Sequence, residues 1–216
     1  MMRISRKILY LALTVGLSLG AVPALHATPI VYDLTVDHCG GGCGPAGTTF
    51  GTVTLNQSGS NTDITVHLNS PYVFAKTGAA DFQAFKFNGT GISLADVIID
   101  AHTPALAANT GSFSGDGTGP FAYGIGCPGC GNGLSSSFNT DIVFHVANAT
   151  VLELTGANSD GFVFVADVGN PATGNTGPVA AVPHADVPEP ATIGLLGLGI
   201  LAIGMVARKK TSARDS

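Results

Sequence analysis

The chain of 216 residues contains no tryptophan, and only 11% of its residues are charged. Bases are scarcer than acids, nine against fourteen, and seven of the nine (Arg3, Arg6, Lys7, Arg208, Lys209, Lys210 and Arg214) sit at the two ends. Between Thr28 and Val187 only Lys76 and Lys86 stand against twelve acids, a formal net charge of −10. Phosphate binding needs clustered Lys and Arg, so nucleic acid is excluded as a partner of that stretch. The absence of tryptophan, with only four tyrosines, argues against the aromatic platforms on which sugar-binding faces usually rest. Low charge combined with 45% hydrophobic residues and a mean hydropathy of +0.37 excludes a disordered acidic or basic tail. Thirty glycines and twelve prolines follow no G-x-y period, so collagen is excluded. No internal repeat of fixed period and no convincing amphipathic helix is visible between the two ends.

What is present begins with two addresses. Residues 1–27 read as a secretory signal peptide, to be handled by the Sec machinery and signal peptidase. Arg3, Arg6 and Lys7 form the positive region and Ile8 to Val22 the apolar run. Leu25-His26-Ala27 offers a small residue for cleavage, with Val22-Pro23-Ala24 as a second candidate. At the other end Val187-Pro188-Glu189-Pro190 precedes the apolar run Ala191 to Ala207, followed by Arg208-Lys209-Lys210. Those seventeen residues, as a helix, span about 25 Å against a ~30 Å hydrocarbon core. A transmembrane helix over 191–207 is expected, with the basic cluster Arg208, Lys209 and Lys210 acting as a cytoplasmic stop-transfer signal and everything before it outside. The prolines remove amide donors and fix an extended entry, so Pro188-Glu189-Pro190 is expected to be accessible backbone.

The order of tripeptide, span, basic cluster and chain end resembles the PEP-CTERM sorting signal of Gram-negative bacteria. The residues that carry the resemblance are Pro188, Glu189 and Pro190, the run Ile193-Gly194-Leu195-Leu196-Gly197-Leu198-Gly199, and Arg208-Lys209-Lys210. The resemblance implies recognition near the tripeptide by an exosortase, a membrane-embedded cysteine protease or transpeptidase. It also implies export linked to exopolysaccharide production. The expected sorting signal covers 188–212.

The stretch 28–170 shows strand alternation. Val53 and Leu55 alternate with Thr52 and Thr54, and Ile64, Val66 and Leu68 with Thr65 and His67. Phe85 and Phe87 flank Lys86; Ile142, Phe144 and Val146 share a face, as do Phe162, Phe164, Ala166 and Val168. Asn56 to Thr62 is a polar turn that predicts a hairpin. Many short strands with glycine-rich turns predict an all-β fold, an antiparallel β-sandwich of jelly-roll-like or Ig-like form. Gly169 to Pro183 starts as a turn, and 171–187 reads as a linker. This middle is similar to a broad group of PEP-CTERM proteins through Phe50 to Leu55, Phe74 to Gly78 with Phe85 to Asn88, and Phe162 to Asp167 with Asn175 to Ala181. The similarity implies a secreted β-rich surface protein and transfers no catalytic residue.

Four cysteines stand in Cys39-Gly-Gly-Gly-Cys43 and Cys127-Pro-Gly-Cys130. Export takes them to an oxidising compartment, where disulfides are favoured. Three pairings exist; the two local bridges are expected ahead of long-range stapling of the two loops. The spacing also permits a four-thiolate zinc site, which the glycine-rich setting and export disfavour, so no metal is expected. Cys127-Pro-Gly-Cys130 opens no predicted helix, so nothing would lower a thiol pKa for redox work.

Other motif matches mislead. Gly16-Leu17-Ser18-Leu19-Gly20 fits the nucleophile elbow but lies in the signal peptide. Gly124-Ile125-Gly126-Cys127-Pro128-Gly129 fits G-x-G-x-x-G but precedes no helix. His67 and His145 are expected on strands opposite the apolar set, and His38, beside Cys39, as a turn residue with a possible metal role as the alternative. Asp116-Gly117 and Asp160-Gly161 read as turns without a full calcium-loop pattern. No cofactor is called for. The expected function is a non-enzymatic exported protein of the cell surface or extracellular matrix, with a secreted carbohydrate-binding module or carbohydrate-active enzyme as the alternative.

Overall fold

Alternating apolar residues bury one face of each strand, and the structure, a computed structural model, shows how those faces meet. It describes residues 28–77 and 82–184. The signal peptide, Pro188-Glu189-Pro190, the helix expected over 191–207 and the cluster Arg208, Lys209 and Lys210 lie outside the described residues. Among the described residues no helix is long and apolar enough to cross a membrane.

Twelve strands are present among them: β1 (Ile30–Asp37), β2 (Gly51–Ser58), β3 (Asn61–Leu68), β4 (Val73–Lys76), β5 (Gln83–Phe87), β6 (Val97–Ile99), β7 (Ala107–Gly115), β8 (Gly119–Gly126), β9 (Gly133–Phe138), β10 (Ile142–Val146), β11 (Phe164–Gly169) and β12 (Thr176–Pro183). All pairings are antiparallel, as expected. The expected partition into two sheets is replaced by one continuous path, β6-β10-β3-β2-β1-β12-β11-β5-β8-β7, with β4 and β9 branching from β11. The sheet rolls towards a barrel. Phe144 on β10, near one end of the path, meets Phe85 and Phe87 on β5, near the other, at ring-centroid distances of 6.0 and 5.4 Å. Phe164 closes the centre, 5.0 Å from Tyr32 and 5.8 Å from Phe85. Burying each such ring is worth ~1.5–3 kcal/mol, so the alternation read in the sequence is what drives the roll.

The hairpin between β2 and β3 is tighter than the polar run predicted: pairing continues to Ser58 opposite Asn61. Gly59, at φ 62°, takes the first position of a two-residue turn, a conformation that glycine adopts without steric cost. Two short helical turns interrupt the strands. A 3₁₀ turn at Leu94–Asp96 and the helix α1 (Val151–Leu154) each begin with a capping box. Ser93 donates its N–H and hydroxyl to Asp96, and Thr150 does the same to Glu153. These bonds, first the Ser93 hydroxyl for Asp96 and the Thr150 N–H for Glu153, hold both carboxyl groups below their ordinary pKa values.

Two expectations are corrected. Phe162 does not share the face of Phe164. It precedes β11 and packs with Val36 against a second, smaller cluster of Phe121, Val165 and Ala180 on the opposite side of the sheet. The linker expected over 171–187 is largely strand: β12 lies between β1 and β11, and Gly177 to Ala181 are buried. The folded unit therefore runs to Pro183 rather than 170. Small residues suggested a linker because they lack apolar bulk, but here they permit close approach. A Cβ on Gly177 would stand 2.5 Å from the Cα of Cys39.

Candidate functional site

The four cysteines form two local bridges, Cys39–Cys43 and Cys127–Cys130, with Cα separations of 5.5 and 5.3 Å. This is the pairing expected first; the sulfurs are thereby committed neither to long-range stapling nor to a four-thiolate centre. Asp37, Cys39 and Cys43 bring one possible ligand atom each within 4.8 Å of one another. Asp37 works there on the backbone: Oδ1 accepts the Cys39 N–H and Oδ2 that of Cys43, both at 2.8 Å. Asn170 donates to the Cys43 carbonyl and Asn175 to the Gly42 carbonyl, each at 2.7 Å, docking the loop on the β11–β12 turn. Gly41 and Gly42 have φ of 82° and 78°, which is why this loop is built from glycine. His38 is not part of the grouping; its ring stands edge-on to Phe162 at 5.6 Å.

The second bridge follows β8. After it the chain enters β9, so among the described residues no helix starts at this bridge. Lys76 donates to the Cys130 carbonyl at 3.3 Å and sits 5.0 Å from the Phe82 ring centroid. The G-x-G-x-x-G match lies along the end of β8 and this loop.

Three histidines stand beside aspartates at the surface and tie neighbouring segments. His67 meets Asp141 at 2.7 Å and His184 meets Asp33 at 2.6 Å, while His145 and Asp100 are 3.8 Å apart. His67 and His184 are half exposed, as a side chain on the outer face should be. Asp116-Gly117 and Asp160-Gly161 are turns, with Gly117 at φ 73° and Gly161 at 89°.

A different constellation lies under the surface. Lys86 and Asp167 are both 0% exposed, and Lys86 Nζ is 2.6 Å from Asp167 Oδ1. Thr77, just past β4, donates its hydroxyl to Asp167 Oδ2. The register explains the meeting. Lys86 stands opposite Val165, and Asp167 is two residues further along β11 on the same face. On the other side Lys86 faces Gly124, over which the Gln83 side chain lies; a Cβ at Gly124 would be 2.5 Å from Gln83 Cγ. Sequence reading placed Lys86 as the polar residue between two core phenylalanines and did not connect it to Asp167. The available signal was an Asp inside the apolar run Phe162 to Val168 and a Lys in a domain with one other base.

The chain leaves the folded unit from an inner strand. Tyr32 near the start of β1 pairs with Pro183 at the end of β12, so both ends of the described chain depart from the same end of one ladder. The exit is fastened by the His184 N–H, which donates to the Val31 carbonyl at 3.0 Å. Beyond it, the family model described as the PEP-CTERM protein-sorting motif matches residues 186–210. The match begins two residues before the expected 188 and ends on the basic cluster. No curated protein and no solved structure matches the chain. Such a motif implies export, transient membrane anchoring through the C-terminus, and processing by an exosortase. The chain thus carries a PEP-CTERM protein-sorting motif at residues 186–210, a short step past its last strand.

Proposed function

We propose that this is a non-enzymatic protein of the cell surface or extracellular matrix, exported across the inner membrane of a Gram-negative bacterium. It is held by its C-terminal helix, cut by an exosortase near Pro188-Glu189-Pro190, and retained outside in association with exopolysaccharide or biofilm. The signal peptide delivers it to the Sec machinery and is removed by signal peptidase. The observation that carries this reading is the sorting motif at 186–210 standing immediately behind a folded all-β unit. The non-enzymatic role is supported by the use of the polar residues. Most of the described acids serve turns, caps and His–Asp surface pairs, and the Lys86–Asp167 pair is sealed from solvent. Four residues separate Pro183 from Pro188, which at full extension reach no more than about 18 Å. The β unit is therefore held close to the membrane until it is cut.

The test is Glu189→Ala in an exosortase-bearing host. The variant should accumulate as an unprocessed, membrane-held form while the parent is released. Processing and release at the parental rate would overturn the reading.

A further inference from the structure

Of the two lysines in the folded unit, one is wholly buried beside a wholly buried carboxylate. As an ion pair this arrangement is a poor use of a core: desolvation offsets most of the attraction, and apolar residues of similar volume often do as well. As a pair of reactants it is well placed. The geometry points to an intramolecular amide bond between Lys86 Nζ and Asp167 Cγ, formed by the folded protein on itself.

The chemistry is a condensation that needs no co-reactant. Nζ and Oδ1 are 2.6 Å apart, and Oδ1 is bonded to Cγ, so the nitrogen is already within contact distance of the carbon it must attack. Proton transfer from Nζ to Oδ1 along this contact gives the neutral amine and carboxylic acid that the attack requires. The nitrogen lone pair then forms the C–N bond to Cγ, and the carbonyl electrons move onto Oδ2. The Thr77 hydroxyl, which already donates to Oδ2, stabilises the charge that develops there. On collapse the Cγ–Oδ1 bond breaks. Oδ1 leaves as water, carrying its own proton and one from the attacking nitrogen. No atom is oxidised or reduced. Both side chains are 0% exposed, so bulk water does not reach the bond to reverse the step. The product ties β5 to β11 across 81 sequence positions. Because β11 leads directly into β12, the cross-link lies one strand from the point where the membrane anchor pulls on the domain.

The full chain, exported, purified, reduced and denatured, should resist trypsin after Lys86. The 77–86 peptide should be missing. One fragment should instead start at Thr77 and run through Asp167, lighter than its sequence mass by one water, about 18 Da beyond the change from the reduced cysteines. Asp167→Ala should release the 77–86 peptide. Asp167→Asn should give a fragment of the same final mass as the parent, because ammonia leaves in place of water. The parent digest decides without any variant: a 77–86 peptide released in full yield, with the whole chain at its unmodified mass, overturns the proposal.

Discussion

The two faces of the β5–β11 ladder are both buried, but they are filled by different chemistry. The inner face carries Phe85, Phe87, Phe164, Ala166 and Val168, all packed in the main core. The outer face carries Lys86, Val165 and Asp167, with Thr77 reaching in from the end of β4. The inner face gains stability from area removed from water, a non-directional effect that tolerates a change of ring for ring. The outer face depends on particular atoms meeting, because a buried charge or amine without its partner is costly. One strand pair thus shows that burial alone does not say what a face is for.

The largest expected effect breaks the inner face. Phe85→Ala should cost ~3–5 kcal/mol in urea unfolding, since its ring contacts those of Phe87, Phe144 and Phe164 and leaves a cavity among rigid neighbours. A loss under about 1 kcal/mol would mean that the sheet does not roll as described.

The outer face is sharpened by a double variant, Lys86→Met with Asp167→Val. If the two residues formed only an ion pair, this apolar replacement would be close to neutral. With the amide in place, it should lose about 4.5 kcal/mol, the loop-closure term for a cross-link spanning 81 positions. Parental stability in the double variant would argue for the ion pair.

Gly177→Ala tests whether β12 belongs to the folded unit. The new methyl would meet the Cys39 backbone, and overpacking of this kind costs ~1–3 kcal/mol. A linker position would accept alanine without change in the urea midpoint.

The smallest effect lies at the surface caps. Asp96 and Glu153 have folded pKa values below their ordinary 3.8 and 4.5, so the unfolded chain binds more protons than the folded one in that range. Their stabilisation is present above the ordinary values and fades as pH falls through the lowered ones. Glu153→Gln should lower stability slightly at neutral pH and flatten the acid limb, the variant and the parent converging as pH falls through the lowered pKa. An unchanged acid limb would show that the Thr150 bonds do not hold the carboxylate in solution.

The parts legible in the sequence were those governed by nearest neighbours. Val53 and Leu55, Ile64 to Leu68, and Ile142 to Val146 announced strands because side chains alternate across a pleat wherever one face is buried. Cys39 to Cys43 announced a local bridge because the intervening glycines can turn so tightly. Phe162 was misplaced because its spacing from Phe164 fits a strand that in fact starts two residues later. The Lys86–Asp167 pair was missed because its members lie far apart in the chain and each is locally unremarked.

By itself the sequence determined that the stretch between its two ends is all-β, that its cysteines can pair locally, and that the chain carries a PEP-CTERM sorting signal, since each is a short pattern whose physics is local. Only the tertiary structure decided that the strands form one rolled sheet, that the glycine- and alanine-rich segment before His184 is an inner strand, and that Lys86 is sealed against Asp167. Those outcomes depend on what covers the second face of a strand, and that cover comes from residues distant in the chain, whose arrival no local pattern encodes.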